Sequence, residues 1–240
     1  ATKKNLDNLK ASYAALEKDS NDALEANINK NRQLLAELEA KQKALTAEQD
    51  RLNKLKKDLE ASSTRLAELE KMMADKEAVM KKLKETLSKS LKAFEGKGLT
   101  VTERDGKVYV SMENKLLFES GSWTVGSEGK KAVDLVGKVL GDNPDISVLI
   151  EGHTDNDKIT GTIGGGVENN WDLSTKRATA IVNILSANAK VKKENLTAAG
   201  RGEYAPLMSN ETAEGKAKNR RIEIILTPKL DEISKMLNEL

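Results

Sequence analysis

The first 95 residues contain neither glycine nor proline: all 16 glycines lie at or beyond Gly96, and Pro144, Pro206 and Pro228 lie further on. A stretch this long without a helix breaker, filled with Ala, Leu, Lys, Glu and Gln, favours one long α-helix. From Leu24 a heptad continues in one register through Asn31, Leu38, Leu45, Leu52, Leu59, Leu66, Met73, Met80, Leu87 and Phe94, and ten of these eleven positions are apolar. A single stripe on an otherwise polar helix gains stability by packing against another helix, so a coiled coil is expected over residues 1–95. The companion seam is poorer, because Leu34, Leu55, Leu69 and Leu83 alternate with Lys41, Glu48, Ser62, Lys76 and Ser90. Such a seam can set register while weakening the coil. Upstream, Leu6, Leu9, Tyr13 and Leu16 follow a shifted helical pattern, which predicts a skip or break near Ser20 to Asp22. A continuous helix of about 90 residues at about 1.5 Å each would span roughly 135 Å, and its expected role is to space and to oligomerise.

Glycine and proline mark a second region, with 96–106 expected as a linker, 107–228 as a folded domain and 229–240 as a short C-terminal helix. Lys107 to Met112 alternates as a strand does, and Lys115 to Trp123 reads as a loop with apolar anchors at Leu117 and Phe118. Ser127 can cap a helix whose apolar face is Ala132, Val133, Leu135, Val136, Val139 and Leu140. The apolar run Ile146 to Ile150 predicts a buried strand, followed by a helix over 171–188, a strand over 195–199, a short helix over 212–218 and a strand over 221–226. The order βαβαβαβ implies an α+β sandwich, a small mixed sheet with helices on one face.

Composition removes several functions. Forty basic and thirty-eight acidic residues leave a net charge of +2, without the excess of a nucleic-acid binder. Zero cysteines and one histidine, His153, exclude disulfides, thiol nucleophiles and Cys/His zinc sites. No run approaches the roughly 20 apolar residues that crossing a bilayer takes. The chain starts at Ala1 and is expected to be a processed product whose signal peptide and anchoring residue are absent.

Four blocks carry a resemblance: Glu151-Gly-His-Thr-Asp155, then Asn170-x-x-Leu-Ser-x-x-Arg-Ala178, then Ala199-Gly-Arg-Gly-Glu203, and Asn219-Arg-Arg-Ile-Glu223. In this order, over about residues 105–228, the chain resembles the OmpA-like peptidoglycan-binding family, which includes peptidoglycan-associated lipoproteins and the periplasmic part of the stator protein MotB. The resemblance implies an OmpA-like β/α sandwich that grips the diaminopimelate of the peptidoglycan stem peptide and anchors an envelope protein to the cell wall across a coiled-coil spacer. It implies a ligand-binding set of Thr154, Asp155, Asn170, Trp171, Leu173, Arg177, Asn219 and Arg220. In that set Asp155 would pair with the ligand's ammonium, Arg177 would clamp a carboxylate, the start of the helix at Asn170, Trp171 and Leu173 would offer polar groups, and Asn219 and Arg220 would close the site. The implied location is the periplasm of a Gram-negative bacterium, with a tether to the outer membrane through an anchor absent from this chain. The alternatives are an assembly protein whose coil drives homo-oligomerisation and a stator-like, MotB-type anchor. No enzyme activity, cofactor, metal or nucleic acid is expected.

Competing readings of the same residues are weaker. Asp155 and Arg177 could form an internal salt bridge, and His153 lacks a serine or cysteine partner for base catalysis. Gly161-Thr-Ile-Gly-Gly-Gly166 lacks the Gly-Lys-Ser/Thr ending of a phosphate loop and reads as a flexible insertion within 156–169. Glu151, Asp155 and Asp157 do not follow the spacing of a calcium loop. Trp123 is expected in the core and Trp171 at the ligand rim.

Overall fold

A computed structural model describes residues 2–119, 121–159 and 164–238. The chain divides into two compact units, residues 1–68 and 69–240. Helix α1 covers Thr2–Ser90 without the break expected near Ser20 to Asp22. A solvated helix tolerates a shift of its apolar stripe as long as no residue interrupts the backbone ladder, and none here does. In the first unit the stripe is open: Leu24, Leu38, Leu45, Leu52, Leu59 and Leu66 are each 52–68% exposed. No helix is long and apolar enough to cross a membrane among the described residues.

In the second unit the same stripe changes environment. Met80, Leu83 and Leu87 on α1, and Leu91 and Phe94 just beyond it, are buried in the domain's own hydrophobic core. The last turns of α1 are therefore part of the globular unit, although the sequence pattern assigned them to the rod. The expected linker is also structured, since Leu99–Arg104 forms strand β1 and pairs antiparallel with β2, Lys107–Glu113.

The remaining elements are α2 (Asn114–Leu117), α3 (Ser127–Gly141), β3 (Ile146–His153), α4 (Asn170–Ser186), β4 (Leu196–Gly200), α5 (Ala213–Asn219), β5 (Arg221–Pro228) and α6 (Asp231–Asn238). The expected loop at 115–123 thus begins as a helical turn, and Ser127 is the first helical residue of α3 rather than its cap, the cap position being Gly126. The sheet order is β1-β2-β5-β3-β4, with only β3 and β4 parallel. Val108, Val110 and Met112 of β2 and Ile222, Ile224 and Leu226 of β5 alternate toward the core that α3, α4 and the end of α1 cover. The opposite face of β5 carries Arg221 and Glu223, both buried and bonded to one another at 2.9 Å.

Candidate functional site

Two glycines position the site. Gly152 on β3 and Gly200 on β4 are register partners, and they leave a bare patch on which the start of α4 rests. A Cβ at Gly152 would lie 2.0 Å from the carbonyl oxygen of Ser174, and one at Gly200 would lie 2.1 Å from Thr175 Oγ1. This close approach sets α4, and with it Arg177, beside the chain leaving β3 at Thr154 and Asp155.

Asn169 caps α4. Its side-chain oxygen accepts from the amides of Trp171 (2.9 Å) and Asp172 (3.1 Å), and its carbonyl accepts from Leu173 N at 3.1 Å. Asp172 returns a bond to Glu168 N at 3.0 Å, a reciprocal cap. The amides of Trp171, Asp172 and Leu173 are thus occupied within the chain, and the Leu173 side chain is buried. Trp171 and Leu173 do not present the open backbone donors expected for an anion. Asn170 acts differently, since its Nδ2 donates to Glu203 Oε2 (2.7 Å), Asp157 O (3.1 Å) and Asp155 O (3.3 Å) and ties three segments together.

Asp155, Arg177 and Arg220 converge. Asp155 is 6% exposed; its Oδ2 pairs with Arg220 Nη1 while its Oδ1 accepts from Asp157 N at 3.3 Å. The ion pair of Asp155 is therefore with Arg220 rather than with Arg177. Arg177, 4% exposed, donates from Nε to Ser122 O at 3.0 Å and lies 5.3 Å from the centre of the Phe118 ring. Burial, and then the charge of Arg220, lower its pKa to about 10, with Asp155 pulling the other way, so the guanidinium remains charged at neutral pH. Among the described residues neither Nη of Arg177 is hydrogen-bonded.

A cavity of about 410 Å³ opens beside them, lined by Arg177, Arg220, Lys115, Glu113, Asn114 and Phe118 among others. Its walls carry three cations and one carboxylate. Burial works against the charge of Glu113, but hydrogen bonds from Lys218 and Lys115 outweigh it and hold the carboxyl below its ordinary range. The net positive wall favours an anion, and Arg177 and Arg220 present donors suited to a carboxylate. Asn219 has a different task from the one expected. It is fully buried; its oxygen accepts from Leu207 N (2.7 Å) and Met208 N (3.0 Å), and its amide donates to Met208 O and Asn210 Oδ1, both at 2.8 Å. All four hydrogen-bonding positions of its side chain are used by the 207–210 loop, which leaves none for a ligand.

Thr154 donates its amide to Gly202 O at 2.9 Å, but its buried hydroxyl has no partner among the described residues. His153 is 2% exposed and neither ring nitrogen is bonded among the described residues. Burial, with Arg221 and Arg201 nearby, lowers its pKa to about 3, so the ring is neutral. Ligand atoms of Glu151, His153 and Glu223 lie within 4.8 Å of one another. Arg221 holds Glu223 at 2.9 Å, Arg104 approaches Glu223 at 3.7 Å and Arg201 approaches Glu151 at 3.9 Å. Three guanidiniums already outnumber the two carboxylates, an environment hostile to a divalent cation.

Trp123, expected in the core, is half-buried beneath Lys176, whose Nζ lies 5.3 Å from the ring centre, and it packs against Gly165. Trp171 is 48% exposed and stacked on Tyr204 with centroids 5.2 Å apart. Within the Gly-rich run, residues 161–163 lie outside the described residues; Gly164, Gly165 and Gly166 all have positive φ. Residues that sequence reasoning missed include Lys115 and Glu113 in the cavity wall and Glu203 at Asn170. Only Glu203 lay inside a recognised block.

Residues 117–220 match the OmpA family. The chain is 35% identical over 120 residues to Motility protein B of Bacillus subtilis, covering 50% of this chain and 45% of that protein. It is 41% identical over 83 residues to the peptidoglycan-binding protein ArfA of Mycobacterium tuberculosis, covering 35% of this chain and 23% of that one. This chain thus spans about half or less of the length of these curated relatives. Among solved structures it resembles the cell wall anchor of the T6SS from Pseudomonas aeruginosa, with 28% identity, a TM-score of 0.53, and coverage of 60% of this chain and 97% of that one.

Proposed function

We propose that the OmpA family domain carried by this chain binds peptidoglycan without chemistry, through the diaminopimelate of the stem peptide, and so anchors an envelope protein to the cell wall. The observation that carries the reading is the meeting of Arg177 and Arg220 at one cavity, with Asp155 paired to Arg220. A relative named as a peptidoglycan-binding protein and a solved neighbour titled a cell wall anchor support it. Diaminopimelate carries carboxylates and an ammonium. A ligand carboxylate takes the two guanidiniums, and the ammonium is served by Glu113 in the wall or by Asp155 as Arg220 turns to the ligand. His153 is buried, its depressed pKa makes it a weak base, and no nucleophile is bonded to it among the described residues, which supports a reading without hydrolysis. The reading puts the domain in the periplasm of a Gram-negative cell, with its tether to the outer membrane upstream of the helix.

Isothermal titration of the full chain with diaminopimelate-containing stem peptide tests this. Loss of a charge-assisted contact in Arg177→Ala or Arg220→Ala should weaken binding about tenfold to a hundredfold. Because Arg220→Ala also leaves the buried Asp155 carboxylate unpaired, circular dichroism of both variants separates lost binding from lost fold. Unchanged affinity in both folded variants would refute the site.

The open stripe of α1 supports a second element of the reading, pairing with another copy of the chain across Leu24 to Met73. Pairing stops before Met80, whose side chain the domain has already buried. Leu45→Cys should form an intermolecular disulfide on oxidation while Leu87→Cys should not. A monomer in sedimentation at tens of micromolar, with no Leu45→Cys cross-link, would reject the coil.

A further inference from the structure

Residues 201–210 form an exposed loop whose apolar surface is held in place by buried polar groups. Tyr204 is 66% exposed, Leu207 52% and Met208 48%, and Trp171 stacks on Tyr204 with an interplanar angle of 22°. Beneath them the backbone is tied at many points. Arg201 N donates to Gly152 O at 2.8 Å, Gly202 N donates to Ser174 Oγ at 3.1 Å, and Gly202 O accepts from Thr154 N at 2.9 Å. Arg221 Nη2 donates to Ala205 O at 3.3 Å, and Asn219 uses its whole amide on the far end of the loop. Ser174, Arg221 and Asn219 are themselves 0–4% exposed. The faces of these rings that remain in water add little to folding beyond their mutual stacking, and a loop this firmly held offers them as a pre-formed surface.

One hydrogen-bonded residue links this surface to the peptide site. Trp171 follows Asn170 and Tyr204 follows Glu203, and Asn170 Nδ2 donates to Glu203 Oε2 at 2.7 Å and to Asp155 O at 3.3 Å, so both ring-bearing segments are tied to the segment that carries Asp155. Polar residues alternate with the apolar ones on the loop: the Arg201 side chain is 52% exposed and Glu203 is half-buried. An exposed ring pair on segments that also carry a cation and a carboxylate suits an amphipathic ligand, one with an apolar C–H face and a polar edge. A pyranose has this form. Its axial C–H groups carry partial positive charge that the negative face of an aromatic ring attracts, and its hydroxyl and amide groups lie at the rim.

We infer that Trp171 and Tyr204 form a stacking platform for a sugar ring of the peptidoglycan glycan strand, beside the cavity that takes the peptide. This rests on the peptidoglycan reading above and adds a second contact to it. One domain then grips the polymer at the junction of sugar and peptide, and the two contacts reinforce one another because they share one ligand.

The test titrates full-length protein with two probes: the diaminopimelate-containing stem peptide alone, and the same peptide joined to its disaccharide. The wild type should bind the disaccharide-peptide roughly fivefold more tightly, the worth of one aromatic contact. Tyr204→Ala should remove that advantage and leave affinity for the bare peptide unchanged, while Tyr204→Phe should retain most of it. Arg177→Ala should weaken both probes. If the wild type binds the two probes equally, or if Tyr204→Ala weakens the bare peptide as much as the disaccharide-peptide, the platform is refuted while the peptide site stands. If the wild type binds neither probe, the peptidoglycan reading itself fails. Circular dichroism of the exposed-residue variants should match the wild type, which separates lost contact from lost fold.

Discussion

Acidification should expose His153 as a buried neutral group. Its pKa falls from 6.5 in the unfolded chain to about 3 in the fold. Glu151 lies 3.6 Å from Nε2 and would favour protonation, but Arg201 and Arg221 hold Glu151 and Glu223 and offset that pull. Because the folded value lies below the unfolded one, the unfolded state takes up the proton first as pH drops. The contribution of His153 to stability is therefore fully present above about pH 6.5 and is lost as pH falls toward 3. At pH 4.5 the folded ring is still neutral, so the loss depends mainly on the unfolded value, which lies about two pH units higher, and amounts to roughly 2–3 kcal/mol relative to pH 7. Carboxylates also titrate in this range, which is why the comparison needs a non-titrating reference. His153→Leu removes a ring that makes no hydrogen bond among the described residues and keeps an apolar side chain of similar volume. Urea unfolding of both proteins at pH 7 and pH 4.5 should show the wild type losing about 2–3 kcal/mol more than the variant. Parallel losses in the two proteins would refute the assignment of a buried neutral imidazole.

Three further perturbations probe the scaffold. Gly152→Ala places a methyl 2.0 Å from the Ser174 carbonyl, so α4 must shift off the sheet; thermal unfolding should reveal a loss of at least about 3 kcal/mol. Asn219→Ala strips four hydrogen bonds from the 207–210 loop, and because water reaches the exposed loop the cost should be about 2–3 kcal/mol, with faster proteolysis between Tyr204 and Asn210. Leu87→Ala should destabilise the domain by about 2–5 kcal/mol in urea, whereas Leu45→Ala should leave the domain's own transition unmoved, since only the former side chain lies in its core.

How legible the molecule was depends on which force shaped each part. Strands with an inward apolar set, such as Val108, Val110 and Met112, announce themselves by alternation. β1 does not, because it lies at the sheet edge and offers only Leu99 fully to the interior, with Val101 partly buried and polar residues between. β3 also runs further than its apolar run, to His153, because its end pairs with Arg221 and Glu223 in a buried charged patch that no hydropathy pattern marks. The motif blocks located Asp155, Arg177 and Arg220 correctly as neighbours. They could not say that Asp155 would choose Arg220, since both arginines are distant in sequence and the choice depends on where Arg177 is held by Ser122 and Phe118.

The heptad shows the limit most clearly. Its register is unbroken from Leu24 to Phe94, yet Leu66 stands 58% exposed while Leu87 is fully buried. A stripe of apolar residues records that something covers it and the direction from which the cover comes; it does not record whether the cover is another chain or the fold that follows. Here the cover for the last turns is the core of the sheet domain itself. The two halves of one helix therefore lie in different surroundings, and under the proposed pairing a substitution at the same heptad position should report on assembly at Leu45 and on folding at Leu87. Identical sequence context with opposite readouts is what a helix continuous from an open stripe into a closed core must give.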